Sequence, residues 1–335
     1  MGIVVDKIFK AFVVEEKDDS VISHIKDWSI DQLSEGDTIV EVDYSAINYK
    51  DALATIKNGG VIRSYPMIPG IDFSGTIIET THDGLSVGDK VVVTGQGTGV
   101  SHTGGFSEIA RIPGEWVQPL PKGMDLKVAA FVGTAGITAA QAIHRLESVG
   151  LSKDKNASIL VTGATGGVGS MAINLLRAQG FTNITALSRK QSTDYLESLG
   201  VKQVISMDEL MENTKPLQKQ AFDYVIDTIG GKTLEAILPK ISYGGGISLC
   251  GNASGIAFSA TVLPFILRGI TMFGIDSVQL SSKEKAKLWE MINESLTTEI
   301  IEKTMAKEIS LEDITETTKE LLEGSHSGRT IVKVK

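Results

Sequence analysis

One stretch constrains the fold of this chain more than any other: Ile159-Leu160-Val161-Thr162-Gly163-Ala164-Thr165-Gly166-Gly167-Val168-Gly169. An apolar, β-rich run enters a bend crowded with glycine, and a helical pattern leaves it. Val168, Met171, Ala172, Leu175 and Leu176 stand at i, i+3, i+4, i+7 and i+8, and Gly180 supplies the stop. A strand that turns so tightly into a helix is the opening of a β-α-β unit. The chain keeps that rhythm. Short β-branched or apolar runs recur at 158–162, 184–188, 201–206, 223–228, 246–251 and 270–276, several of them separated by helical pattern. Six such strands predict an α/β fold built on a doubly wound parallel sheet.

The flanking sequence has another texture. Residues 1–125 read as mostly β: runs at 38–42, 75–78 and 90–94 alternate with the turn signals Ser34-Glu35-Gly36-Asp37, His82-Asp83-Gly84 and Val87-Gly88-Asp89. That spacing predicts an antiparallel barrel or sandwich, with Pro113, Pro119 and Pro121 marking its exit. Asp125 is the expected N-cap of a helix carried by Val128, Phe131, Ala135, Thr138 and Ala142. Residues 282–299 read as a further helix and 329–334 as a closing strand. At 335 residues the chain accommodates two domains of roughly 150 residues each. No long linker or repeat separates them, so the second is expected to be inserted in the first.

Composition narrows the function. With 32 basic against 41 acidic residues the net charge is −9, which argues against non-specific nucleic-acid binding. The longest near-apolar stretch, 128–140, falls short of the roughly 20 residues of a membrane-spanning helix. A single cysteine allows no intrachain disulfide and no zinc site of paired cysteines. His24, His82, His102, His144 and His326 form no pair with metal-ligand spacing. Met-Gly-Ile-Val-Val-Asp lacks the features of a signal peptide, and Asp6 breaks the myristoylation pattern, so a cytoplasmic protein is expected.

The glycine bend itself points to a phosphate ligand. Gly166 lets a pyrophosphate approach the backbone, Gly169 lets helix and strand pack closely, and the helix N-terminus offers unpaired N–H groups. Ala164, Thr165, Gly166, Gly167 and Val168 are the expected cradle, with Ala164 where the usual pattern has its first glycine. The alternative is a tight turn with no ligand. The second strand ends in Ser188-Arg189-Lys190, where an NAD site would carry an acid for the ribose 2′-hydroxyl. One hydroxyl and two cations suit a 2′-phosphate, so NADPH is expected over NADH; a solvated basic loop is the alternative. Asn252 follows a later strand, where ligands gather.

Two amino-terminal stretches bear further polar candidates: Ala46-Ile47-Asn48-Tyr49-Lys50-Asp51, and Arg63 to Gly75 with the rigid Pro66-x-x-Pro69-Gly70 turn. Four motifs occur in order: Pro66-x-x-Pro69-Gly70-x-Asp72-x-x-Gly75, Val87-Gly88-Asp89-Lys90-Val91, Gly104-Gly105-Phe106-Ser107-Glu108 and the glycine bend. Together they resemble the medium-chain dehydrogenase/reductase superfamily over essentially the whole chain. Asn48-Tyr49-Lys50-Asp51-Ala52-Leu53, Met67 to Asp72, Pro264-Phe265-Ile266-Leu267-Arg268 and Gly274-Ile275-Asp276-Ser277-Val278 resemble its zinc-independent branch of quinone oxidoreductases and acrylyl-CoA reductases.

The resemblance implies a GroES-like β-rich catalytic domain over 1–127 and 277–335, and a Rossmann NADP-binding domain over 128–276. It also implies a cleft between them and a homodimer or other homo-oligomer. The superfamily's zinc alcohol dehydrogenases carry a cysteine near the position of Asn48 and Gly-His-Glu where this chain has Gly70-Ile71-Asp72. The lone Cys250 falls in a Rossmann strand and reads as packing. No metal is therefore expected, and without one the easier task is conjugate reduction. NADPH delivers hydride to an activated C=C of an α,β-unsaturated carbonyl, most simply an enoyl- or acrylyl-CoA. Quinone reduction is the alternative, and an NADPH-binding structural or regulatory protein with little turnover is a third reading.

Four residues are candidates for the chemistry. Tyr49 contacts nicotinamide or substrate and donates a hydrogen bond, or is a cleft-wall aromatic. Asn48 orients substrate or cofactor, or is a turn residue. Asp51 holds Tyr49 or a cation, or caps a helix from Ala52. Arg63 binds an acidic substrate tail, or makes an ordinary surface ion pair. Ser277 and Arg329 complete the cofactor set, the latter because it resembles a cofactor-contacting arginine of the branch.

Overall fold

β-Branched runs and tight turns fill the first part of the chain, and they pair antiparallel. The structure is a computed structural model that describes residues 7–189, 193–211 and 215–335. β1 (Ile8–Lys17) and β2 (Ser20–Ser29) form a hairpin. Its loop residues Asp18 and Asp19 have φ of 46° and 65°, the twist that a two-residue hairpin loop requires. β3 (Thr38–Ala46), β4 (Asp72–Thr80), β5 (Lys90–Thr94), β6 (Ile109–Ile112) and β7 (Val117–Pro119) follow. β3 pairs with β4 and β6, β4 with β5, and β5 with β7, all antiparallel. Val40, Phe73, Ile77, Val93 and Ile112 fill one core, and Phe12, Ile68, Phe106 and Ile109 another beneath the hairpin. The Phe12 and Phe106 rings meet edge to face at 6.0 Å.

After β7 the period changes from two to helical. Helix α1 (Tyr49–Ala54) lies between β3 and β4, and α2 (Leu126–Glu147) opens the inserted region. α2 is long and apolar enough to span a membrane by length and composition, but 78% of its most apolar window is buried, as in the core helix of a folded domain. The expected glycine-bend strand is β8 (Ile159–Thr162), and the expected helix is α3 (Gly167–Ala178). β9 (Ile184–Leu187), β10 (Gln203–Ile205), β11 (Phe222–Asp227), β12 (Ile241–Leu249) and β13 (Thr271–Gly274) complete a six-stranded parallel sheet. Its order is β10-β9-β8-β11-β12-β13, so the direction of winding reverses between β8 and β11. That reversal opens a crevice at the strand ends, where doubly wound sheets bind ligands.

The chain then returns. β14 (Met305–Ile309) runs parallel to β15 (Arg329–Lys333), which pairs antiparallel with β3 and so joins the first sheet. The two compact units are 1–134 with 278–293 and 305–335, and 135–277 with 294–304. The last piece corrects the sequence reading. Residues 282–299 are not one helix: helices Ser282–Ser295 and Thr298–Thr304 are separate, and the second packs with the inserted unit, where Asn174 donates to Thr304 Oγ1.

Candidate active site

The glycine bend sits at the end of β8, at the switch point. Gly163 carries the left-handed backbone (φ 55°), and a Cβ there would lie 2.2 Å from Thr228 Oγ1. Ala164 is fully buried and keeps a negative φ, so the absence of a glycine there costs nothing. At Gly169 a Cβ would meet Gly163 O at 2.4 Å, which is the close strand–helix packing the sequence predicts. At Gly166 the nearest atom to a Cβ would be 3.2 Å away, and the space is otherwise open to a ligand. Gly166 is the N-cap of α3 and offers no side chain, so the first-turn N–H groups remain available for an anion. The bend is braced from below: Thr162 Oγ1 donates to Asp227 Oδ1 at 2.7 Å, and Gly230 N donates to Asp227 Oδ2 at 2.8 Å. This is a cradle into which a pyrophosphate fits.

Of the remaining residues of the predicted cofactor set, Ser188, Arg189, Asn252 and Ser277 follow strands of the same unit, whereas Tyr49 and Arg329 belong to the first unit, where Arg329 is spent on Phe131, Ile47 and Asn48. Ser188 and Arg189 directly follow β9; Ser188 is buried and Arg189 is exposed. Lys190 lies outside the described residues. Asn252 is exposed beyond the end of β12. Ser277 is buried, and its hydroxyl is 2.7 Å from Thr138 Oγ1, so it braces α2. Cys250 Sγ donates to Asp227 O, and burial pushes its thiol up to about 12. It remains a neutral packing group.

The first unit contains a buried polar network that the sequence analysis only partly anticipated. Arg329, 2% exposed, donates from Nε to Phe131 O at 3.0 Å and from Nη1 to Ile47 O at 3.2 Å and Asn48 Oδ1 at 3.0 Å. Its Nη2 lies 3.9 Å from Asp72 Oδ2. Asp72, fully buried, also accepts from Asn48 Nδ2 at 3.0 Å and Thr134 N at 2.7 Å. The bond from Thr134 exists because α2 is broken at Gly133 (φ 45°, ψ −153°). A Cβ at Gly133 would stand 2.4 Å from Asp72 Oδ2 and 2.9 Å from Arg329 Nη2, so only glycine fits beside the pair. Burial raises the Asp72 carboxyl pKa and lowers that of Arg329; in both, desolvation outweighs mutual attraction.

Asp51 follows the helix-cap alternative, as the N3 member of the capping box of α1. It holds neither Tyr49 nor a cation by hydrogen bond. Oδ1 accepts from Gly70 N (3.1 Å) and Ile71 N (3.0 Å), and Oδ2 from Asn48 N (2.9 Å). The carboxyl thereby ties the first turn of α1, which starts at Tyr49 rather than Ala52, to the 70–71 loop. Burial, with the charge of Asp72, pushes its pKa up to about 7. It is a positioning residue. Asn48 likewise spends its side chain on Asp72 and Arg329. Tyr49 is different: it is 44% exposed at the start of α1. Arg63 is exposed and makes no ion pair with a described residue. Sequence reasoning included Asp72 only within a motif and missed Gly133 and Thr134. An acid opening the strand run Phe73 to Ile78 was the available signal for Asp72; the Gly133 break had none.

A phosphate cradle at the switch point of a doubly wound sheet, in one chain with a β-rich unit and a buried polar hub, defines the class of two-domain pyridine-nucleotide oxidoreductases. The sequence matches the family described as alcohol dehydrogenase GroES-like domain over residues 34–122 and zinc-binding dehydrogenase over 167–294. It is 38% identical to the acrylyl-CoA reductase AcuI of Ruegeria pomeroyi, over 98% of this chain and 99% of that one. It is 41% identical to YhfP of Bacillus subtilis, provisionally described as a quinone oxidoreductase, over 98% of this chain and 99% of that one. The crystal structure of the yhdH oxidoreductase from Salmonella enterica in complex with NADP superposes with a TM-score of 0.94 at 38% identity, covering 97% of this chain and all of that one. The B. subtilis yhfP structure, with NAD bound, gives 0.93. The chain belongs to the medium-chain dehydrogenase/reductase superfamily, in its zinc-independent branch.

The second family description raises zinc, and the residues here do not fit it. Ile71 has no donor atom, Asn48 and Asp72 are committed to each other, and the Arg329 guanidinium already supplies the positive charge beside Asp72.

Proposed function

We propose that this protein is an NADPH-dependent reductase that saturates an activated C=C of an α,β-unsaturated carbonyl compound, with an unsaturated acyl-CoA as substrate class. The observation that carries this reading is the Asn48–Asp72–Arg329 network: Asn48 and Asp72, which the resemblance sets against metal ligands of the zinc-dependent members, are instead committed to each other and to Arg329. Reduction of a simple ketone needs a strong electrophile at oxygen. Conjugate reduction spreads its charge into an enolate, for which a hydrogen-bond donor serves. The relatives that carry acrylyl-CoA reductase names support the same substrate class.

NADPH, when bound, would supply the hydride that reaches the β-carbon, and a solvent proton taken up at the α-carbon of the resulting enolate completes the saturation. Gly166 and the first turn of α3 hold the pyrophosphate, and Arg189 forks onto the 2′-phosphate at a strand end that carries no acid. Tyr49 donates its hydroxyl to the substrate carbonyl oxygen as negative charge develops there. One such donor contributes roughly 3 kcal/mol, by analogy with oxyanion holes. Asp51 fixes the turn that presents Tyr49. The Asp72–Arg329 pair fixes Asn48, which caps that turn.

Two copies pair through the inserted unit. β13 is an edge strand of its sheet, and Ile256, Val262, Ile266 and Leu267 of the same unit are 56–88% exposed. Light scattering that shows only monomer would remove this pairing.

The direct experiment follows NADPH consumption with crotonyl-CoA and, separately, 1,4-benzoquinone. Faster oxidation with the thioester is the expected result. Oxidation with the quinone alone establishes the quinone reductase reading, which the YhfP description favours. NADPH binding with no turnover on either acceptor establishes a binding protein.

A further inference from the structure

Beside the start of α1 lies a cavity of about 490 Å³ whose lining carries two cations and no acid. Lys50, the residue after Tyr49, and Arg63 face it, together with Ser64 and Ser101; Met67 and Val100 supply apolar wall. The side chains of Lys50 and Arg63 make no hydrogen bond or ion pair with a described residue. The contrast with their surroundings is informative. In an adjoining cavity of about 310 Å³, which Arg63 also lines, Lys57 is paired with Asp19, while Glu16 stands by without pairing Arg63. Surface cations on a chain with 41 acids are readily neutralised by neighbours. Two left unpaired in one concavity, with hydroxyls between apolar walls, match a ligand that is anionic at one part and apolar at another.

We propose that this cavity binds the phosphate-bearing arm of the substrate's thiol carrier, and so selects carrier-bound acyl thioesters over neutral acceptors. Lys50 acts as a point charge and Arg63 as a two-pronged donor to phosphate oxygens. Ser64 and Ser101 add hydroxyl donors, and Met67 and Val100 pack against the apolar part of the arm. The placement suits the proposed reaction, on which this inference rests, because Lys50 directly follows Tyr49, the residue assigned to the carbonyl, in the first turn of α1. A quinone carries no group for Lys50 or Arg63, so the same cavity separates the two substrate readings.

The test uses the full chain and its variants Lys50→Met, Arg63→Met and the pair together. The readout is a ratio: kcat/KM for crotonyl-CoA divided by kcat/KM for the crotonyl thioester of N-acetylcysteamine, which lacks every phosphate. Dividing by the truncated substrate cancels general damage to the protein. The ratio is expected to fall roughly tenfold or more for each substitution, as for loss of a charged hydrogen bond, and the wild-type ratio is expected to fall with added salt. A ratio unchanged in the double variant overturns the proposal.

A second arm does not depend on turnover. Free coenzyme A is titrated calorimetrically into protein saturated with NADP+, which blocks the glycine-bend site, with inorganic phosphate as a parallel titrant. Binding of coenzyme A that weakens at least tenfold in the double variant supports the anion site even if no thioester is reduced. In that event the proposed reaction fails and the site stands. Binding equal in wild type and variant, or heat with phosphate alone and none with coenzyme A, refutes the carrier assignment.

Discussion

The Asp72–Arg329 pair makes the sharpest demand on stability. Replacing Arg329 by Met removes the bonds to Phe131 O, Ile47 O and Asn48 Oδ1 and leaves the Asp72 carboxylate buried without its countercharge. Replacing Asp72 by Leu leaves the Arg329 guanidinium in the same condition and takes the acceptor from Asn48 Nδ2 and Thr134 N. Each single change is expected to cost about 3–5 kcal/mol, the cost of an orphaned buried charge. The pair itself is not a net source of stability, because at 3.9 Å desolvation outweighs attraction for both partners. The double variant therefore orphans no charge, and it is expected to lose far less than the sum of the singles, with a coupling of about 2–4 kcal/mol. Urea unfolding read by tryptophan fluorescence measures this in the correct unit, since Trp28, Trp116 and Trp289 all belong to the first one. Single variants that cost under about 1 kcal/mol, or a double variant additive within about 0.5 kcal/mol, would refute the reasoning.

Two further outcomes follow from single side chains. Arg189→Ala is expected to weaken NADPH binding by roughly 1.5–3 kcal/mol while leaving NADH nearly unaffected, because only the former has a 2′-phosphate; equal loss for both, measured by fluorescence titration, contradicts the assignment. Lys285 is buried in the first unit with Nζ 2.6 Å from Thr94 O, and desolvation pulls its pKa down to about 8 from 10.5. Between those values the unfolded chain holds the proton more firmly, so stability of this unit should rise as pH increases from about 8 to about 10.5, by about 3 kcal/mol in all. Lys285→Met should abolish that rise, and a wild-type protein whose urea midpoint is flat over the same range would show that the ammonium is not penalised.

Sequence alone determined the doubly wound sheet, because its signals are local. An apolar strand, a glycine bend and a helix with i, i+3, i+4 periodicity occupy neighbouring residues, and the six predicted strand runs contain β8, β9, β10 and β13, overlap β11 almost fully and cover the last four residues of β12. It also determined the missing acid at the end of β9, since one residue type at one position settles that charge. The β1–β2 hairpin was less visible because its turn is Asp-Asp, with no glycine to announce the positive φ. The candidate site was decided by tertiary structure. Asn48, Asp72, Gly133, Thr134 and Arg329 are scattered over nearly the whole chain, and their roles arise only where strand pairing of β15 on β3 and the break in α2 bring them into one dry volume. There, burial makes every unpaired charge costly, so partners must be found at a distance in sequence. The same holds for Lys50 and Ser101, ordinary surface residues in the sequence that share a cavity only after the chain has folded.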